Sequence, residues 1–246
     1  MNFLERRFSQ MDSADSNDED SDMRPFSAPR RRALAGSLAA LGMLVAAPLN
    51  RLYAQQLLRT PPQTSGPFYP TSIPLDSDND LVIVNGRGKI AKGQVSNVFG
   101  RVLDERGRPI RQARVEIWQC DVNGRYHHSR DHRNVPLDEN FQGYGRFITG
   151  ADGGYRFRTI KPVPYPGRAP HIHFKIGGPG IAALTTQMYV AGAPENEGDW
   201  ILNGIDARVR DSVIVNFAPH GGTPGELLAK FDIILAADGR FGKVSG

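Results

Sequence analysis

From Val95 onward the chain is written in short runs whose apolar residues fall on every second position, each run ending at a turn signal. Ala113, Val115 and Ile117 share one face of such a run, while Arg114, Glu116 and Trp118 take the other. Phe147 and Thr149 lead into Asp152-Gly153-Gly154, and Tyr155, Phe157 and Thr159 answer on the far side, which is the pattern of a hairpin. Val95 to Leu103, His171 to Ile176, Leu184 to Val190, Ser212 to Phe217 and Lys230 to Leu235 read as further strands. Helical periodicity is confined to short turns expected in 191–211 and at Pro224 to Leu228. Such runs bury their apolar faces when two sheets stack. The predicted fold class is therefore all-β: an antiparallel β-sandwich with long loops and few short helices.

Composition sets the outer limits. The chain has 246 residues, 39% hydrophobic and 23% charged, which suits one domain plus an extension. Net charge is +4 and the pI is near 9.3, but the arginines are scattered and not interleaved with aromatics in a block. That argues for a weak bias toward anionic small molecules and against a nucleic-acid partner. The single cysteine, Cys120, excludes an intrachain disulfide and a Cys-based zinc site. It falls at a strand end, where a buried structural thiol is expected.

The extension is residues 1–54. Its first 22 residues are polar, with an acidic run from Asp12 to Asp22, and are expected to be disordered. Arg30-Arg31-Arg32 then precede a short apolar run through Ala47, which reads as a twin-arginine-type signal segment. Cleavage is expected after Ala54, leaving no stable membrane span, and Met23 would give a more usual signal start. This predicts an exported protein, periplasmic or extracellular. Residues 55–246 form the β-sandwich domain, opened by a Pro- and Gly-rich arm at Thr60 to Pro70.

One stretch carries chemistry: Pro164-Tyr165-Pro166-Gly167-Arg168-Ala169-Pro170-His171-Ile172-His173-Phe174. Strand alternation sends His171 and His173 to one face and Ile172, Phe174 and Ile176 to the other. Two imidazoles so spaced can bind one metal ion, and the prolines fix the backbone around Tyr165. Spacing alone leaves two readings for each feature. The pair is a solvated face or a metal site, and Tyr165 is a packed turn aromatic or an aimed ligand.

A second cluster, Trp118-Gln119-Cys120-Asp121-Val122-Asn123-Gly124-Arg125-Tyr126, bears on that choice. Together with Gly100-Arg101-Val102-Leu103-Asp104, Pro136-Leu137-Asp138, Arg158-Thr159-Ile160-Lys161-Pro162, Thr186-Gln187-Met188-Tyr189 and Phe231-Asp232-Ile233-Ile234-Leu235, these blocks resemble the intradiol ring-cleavage dioxygenases, and among them the protocatechuate 3,4-dioxygenase β subunits. The resemblance covers nearly all of residues 60–240. It implies a β-sandwich holding one non-haem Fe(III) on two tyrosinates and two histidines, here Tyr126, Tyr165, His171 and His173. Tyrosinate is a hard anionic donor that favours the ferric state.

The resemblance further implies that Tyr165 leaves the metal when a catechol chelates it. O2 then opens the ring between the hydroxyl-bearing carbons to a cis,cis-muconate. Arg168 and Gln187 would stand beside the reacting ring, and Thr64, Gly66, Pro67, Trp118 and Ile201 would contact substrate. Protocatechuate is the leading substrate, with catechol and hydroxyquinol as alternatives. Two departures stand out. The link from Tyr165 to His171 is short, with Gly167 in place of a bulky aromatic, which predicts a wider mouth. The arm at Thr60 to Pro67 resembles one that a second subunit supplies elsewhere, so a homo-oligomer could complete its own site. The competing classes are a non-catalytic β-sandwich binding module and a zinc hydrolase using His171 and His173. His127, His128 and His132 are expected at the surface or pocket rim, and His220 is expected to be exposed.

Overall fold

In the computed structural model, which describes residues 56–236, most strands form where alternation places them. They are β1 (Val95–Asp104), β2 (Arg114–Trp118), β3 (Tyr144–Ile148), β4 (Gly154–Ile160), β5 (His171–Gly178) and β6 (Ile181–Val190), then β7 (Ile214–Val215), β8 (Phe217–Pro219), β9 (Leu227–Lys230) and β10 (Ile233–Leu235). Between β6 and β7 lie two 3-10 turns, at Pro194–Glu197 and Asp211–Val213, and two one-turn helices, α1 (Trp200–Asn203) and α2 (Ala207–Arg210). Among the described residues, no helix is long and apolar enough to cross a membrane. The signal segment expected over residues 1–54 lies outside the described residues.

Two five-stranded sheets form the expected sandwich. One has the order β3-β2-β5-β6-β7. In the other, β4 runs antiparallel along one side of β1, while β9 and then β10 take the opposite side, with β8 beyond β9. Most pairings are antiparallel as expected, but β1 with β9, β1 with β10, and β6 with β7 are parallel. The length of β1 allows the shared edge: β9 pairs with Ser96–Phe99 and β10 with Val102–Asp104. At the crossing between them only glycine fits, because a Cβ on Gly100 would lie 1.9 Å from the Phe231 carbonyl oxygen.

Three local expectations change. Asp152-Gly153-Gly154 does turn the chain, but β3 pairs with β2 and β4 with β1, so the turn crosses between sheets and makes no hairpin. The end of β3 is drawn to β2 because Thr149 Oγ1 accepts from Ala113 N at 2.9 Å and donates to the Ile110 carbonyl at 2.8 Å. Residues 212–217 split between sheets as β7 and β8. No helix forms at Pro224 to Leu228: Pro224 and Gly225 lie in a turn, and Leu227 and Leu228 begin β9.

The core fills the space between the sheets. Val98, Val102 and Phe157 from one sheet pack with Val115, Ile117, Ile172, Phe174 and Ile176 from the other, all at 1% exposure or less. Phe174 meets Tyr155 and Phe231 edge-on at 6.1 and 5.1 Å. Each such side chain contributes about 1.5–3 kcal/mol by burial. The opposite face of β2, β5 and β6 is buried as well. There Trp118, Cys120, Tyr126 and Tyr144 form a second cluster, and Cys120 is the buried thiol expected. The arm covers this face, held by Gln63 N to Thr185 O at 2.8 Å and Thr60 N to Ile234 O at 3.0 Å.

Candidate metal centre

Strand register assembles the first half of the site. On the outer face, His173 of β5 lies between Trp118 of β2 and Gln187 of β6, and His171 lies beside Tyr189. The His173 ring stacks on Trp118 at 4.7 Å with planes 3° apart. On its other side is the arm, where a Cβ on Gly66 would sit 3.4 Å from His173 Cε1. His171 Nδ1 donates to the Ala169 carbonyl at 2.6 Å, which assigns the proton to Nδ1 and leaves Nε2 as a lone pair. That Nε2 is 3.2 Å from His173 Nε2 and 3.4 Å from the Tyr126 hydroxyl.

Loops bring in the tyrosines. Tyr126 follows a turn closed on Asp121 Oδ1, which accepts from the amides of Asn123 and Arg125 at 2.8 and 3.0 Å. Its own amide donates to Asp131 Oδ2 at 2.7 Å, and its ring stacks on Phe68 at 4.6 Å. Tyr165 opens the turn Tyr165-Pro166-Gly167-Arg168, closed by Arg168 N to Tyr165 O at 2.9 Å, with Gly167 at φ +78°. Proline second and a left-handed glycine third are the signature of a type II turn. The tyrosine rings meet edge to face at 5.8 Å, and the Arg133 guanidinium lies 4.7 Å above Tyr165 while paired with Asp131.

Arg168 closes the group. Its Nη1 is 3.5 Å from the Tyr165 hydroxyl, its Nη2 donates to Gln187 Oε1 at 2.5 Å, and its Nε donates to Asp199 Oδ2 at 2.9 Å. Gln187 is fully buried, and its Nε2 donates to the Thr64 carbonyl at 2.9 Å, so its orientation is locked from both ends. The Tyr189 hydroxyl stands 3.3 Å from Arg168 Nη2 and donates to Gln63 Oε1 at 2.9 Å.

Burial governs protonation here. It pushes the Tyr126 hydroxyl well above the usual phenol range, and it raises Tyr165 as well, with Arg168 opposing. His171 is lowered to about 4, by burial first and Arg168 second, and burial then His171 depress His173. The pocket therefore keeps its imidazoles neutral and disfavours phenolate unless a cation compensates. A highly charged metal ion fits that donor set, binding imidazole lone pairs and ionising the phenols. The 3.2 Å Nε2 separation suits two nitrogens each about 2.0–2.1 Å from one ion. Among the described residues no group of three or more His, Cys, Asp or Glu could hold a metal, and the oxygen beside the histidine pair is the Tyr126 hydroxyl, 3.4 Å from His171 Nε2.

The residues singled out for substrate contact fall into two groups. Thr64 and Ile201 line one recess of about 700 Å³ with Trp200, while Gly66 covers His173 and Pro67 is exposed beside it. Trp118 is 1% exposed, backs His173, and borders a second cavity of about 380 Å³ with Phe68 and Tyr126. His127 and His132 are exposed and His128 is half-buried. His220 is half-buried too, not exposed, because its Nδ1 accepts from Gly222 N at 2.9 Å. Sequence reasoning passed over Tyr189, Asp199 and the Asp131–Arg133 pair. Tyr189 was visible as the next same-face residue after Gln187, and Asp199 as a helix N-cap.

A dioxygenase family model matches residues 64–237. The protocatechuate 3,4-dioxygenase beta chain of Burkholderia cepacia is 42% identical over 172 residues, 66% of this chain and 72% of that one. The hydroxyquinol 1,2-dioxygenase of Corynebacterium glutamicum is 33% identical over 202 residues, 70% of this chain but only 62% of that longer protein. Among solved structures, the dioxygenase domain of a dioxygenase carbohydrate-binding fusion from Streptomyces sp. SirexAA-E superposes with a TM-score of 0.57 at 30% identity, covering 72% of this chain and 98% of that domain. With the family model spanning most of its length and these relatives on either side of it, the chain belongs to the intradiol ring-cleavage dioxygenase family.

Proposed function

We propose that this chain cleaves catechols between their two hydroxyl-bearing carbons with O2, giving cis,cis-muconates, and holds one non-haem Fe(III) on Tyr126, Tyr165, His171 and His173. The observation that carries this reading is the convergence of two neutral imidazole nitrogens 3.2 Å apart with the Tyr126 hydroxyl 3.4 Å from one of them. Bound Fe(III) supplies a Lewis acid that accepts the catechol as a dianion and couples it to O2.

The side chains divide the remaining work. Burial keeps His171 and His173 neutral, while the Ala169 carbonyl fixes the His171 tautomer and the stack on Trp118 holds the His173 ring in place. Tyr165 is the donor able to leave, because it sits on a surface turn and is only half-buried. Its freed oxygen can take a proton from the incoming catechol. Arg168, 3.5 Å from that oxygen, would face the negative charge of a bound ring. Gln187 fixes the guanidinium on one side and the arm on the other. A non-catalytic binding module has no use for a cation aimed at the Tyr165 and Tyr189 hydroxyls.

Protocatechuate is the leading substrate, supported by the 42% identity to a protocatechuate enzyme's beta chain. Catechol and hydroxyquinol are the second reading, supported by the 33% identity to a hydroxyquinol enzyme and by the exposed, side-chain-free surface at Gly167. The arm packs on its own chain, so a homo-oligomer could assemble complete sites without a distinct second subunit. The test is oxygen uptake by iron-loaded protein with each of the three catechols, with product spectra. Muconate-type products and a visible tyrosinate–iron colour are expected. Yellow semialdehydes would overturn the mechanism, and activity on protocatechuate alone would overturn the tolerant reading.

A further inference from the structure

Asp199 is buried at 1% exposure, in a short connection far in sequence from the histidines and tyrosines, yet it reaches three parts of the site. One oxygen, Oδ2, accepts from Arg168 Nε at 2.9 Å and from Ala169 N at 2.8 Å. The other, Oδ1, accepts from the amides of Ile201 and Leu202, both at 3.0 Å, and so caps α1. Ala169 is the residue whose carbonyl takes the His171 Nδ1 proton at 2.6 Å. A single carboxylate thus holds the guanidinium, the amide of the residue whose carbonyl orients His171, and the start of the helix bearing Ile201.

We infer that Asp199 is the positioning residue of this site: it sets the direction and compensates the charge of Arg168, and fixes Ile201 and the Ala169 peptide relative to it. Four donors meet its two oxygens, so no acceptor capacity is left over for a looser arrangement. Without the carboxylate, Arg168 would be a buried cation paired only with neutral oxygens, those of Gln187, Tyr165 and Tyr189. The guanidinium would then be free to turn from the reacting ring. This inference rests on the proposed placement of Arg168 at that ring.

Asp199→Asn is the informative variant, because asparagine still caps a helix while its amide turns a donor toward Arg168 Nε and Ala169 N. The first readout is the Arg168 Nε–H signal in the NMR spectrum of metal-free full-length protein. Slow exchange is expected in the wild type and fast exchange in Asp199→Asn. The second is kcat of the iron-loaded enzyme, expected to fall about tenfold to a hundredfold with a smaller change in KM. In an Arg168→Gln background the same substitution should add little, since the two act as one unit. Arg168→Lys, which leaves the Asp199 cap in place, should cost a similar factor if Asp199→Asn does not fold. A protected Nε–H in Asp199→Asn, or fully additive losses, would overturn the inference. A wild type that turns over no catechol but shows the NMR difference would instead overturn the proposed function alone.

Discussion

The Tyr165 hydroxyl and the Arg168 guanidinium lie 3.5 Å apart because they flank one four-residue turn, and that turn depends on Gly167 at φ +78°. A methyl group at Gly167 would touch nothing within 4 Å, so its cost is conformational, not steric. Gly167→Ala should therefore destabilise the turn by about 1–2 kcal/mol without clashing. The expected result is a small fall in Tm and a larger fall in kcat, as both side chains lose their alignment. Unchanged kcat would show that the turn does not set the pair.

His171→Ala and His173→Ala should each lose most of the bound iron, because each deletes one of two converging nitrogens. Metal analysis of purified variants checks this. Full iron occupancy in both would remove the histidines from the centre.

Tyr165→Phe should keep the fold and part of the iron but turn over slowly, since it deletes the oxygen proposed to leave the metal and accept a proton. Visible spectroscopy should show an altered tyrosinate band. Wild-type colour and rate together would exclude Tyr165 from the centre.

Acid should destabilise the metal-free protein. His171 titrates near 4 in the folded state against about 6.5 unfolded, so between these values the unfolded chain binds the extra proton. Stability is therefore full above pH 6.5 and is lost as pH falls toward 4, by up to about 3 kcal/mol from this residue. His173, also depressed, acts in the same direction. Urea titrations at pH 7, 5.5 and 4.5 should show a falling midpoint, and an unchanged midpoint would contradict the buried, neutral imidazoles.

Replacing Arg30 and Arg31 with lysine should leave active precursor in the cytoplasm if a twin-arginine-type signal directs export. Cell fractionation checks it. Unchanged export would remove that route while leaving the site chemistry untouched.

Much of this protein is local and therefore legible in the chain. Period-two alternation set β1, β2, β5 and β6, because a strand's two faces are written in consecutive residues. The same rule placed His171 and His173 on one face, and Pro166-Gly167 specified the turn that joins Tyr165 to Arg168. Only tertiary structure decided the partners. Asp152-Gly153-Gly154 looks like a hairpin locally, but whether the strands beside it pair depends on Thr149 bonding to residues 110 and 113. Trp118 backing His173 is a matter of cross-strand register, which the spacing within β2 does not contain. Asp199 reads from sequence as a helix cap, and its grip on Arg168 follows from two loops meeting 31 residues apart. The chain states which groups each strand and turn can offer; the folded core decides which of them come within bonding distance, because those distances are set by packing between segments remote in sequence.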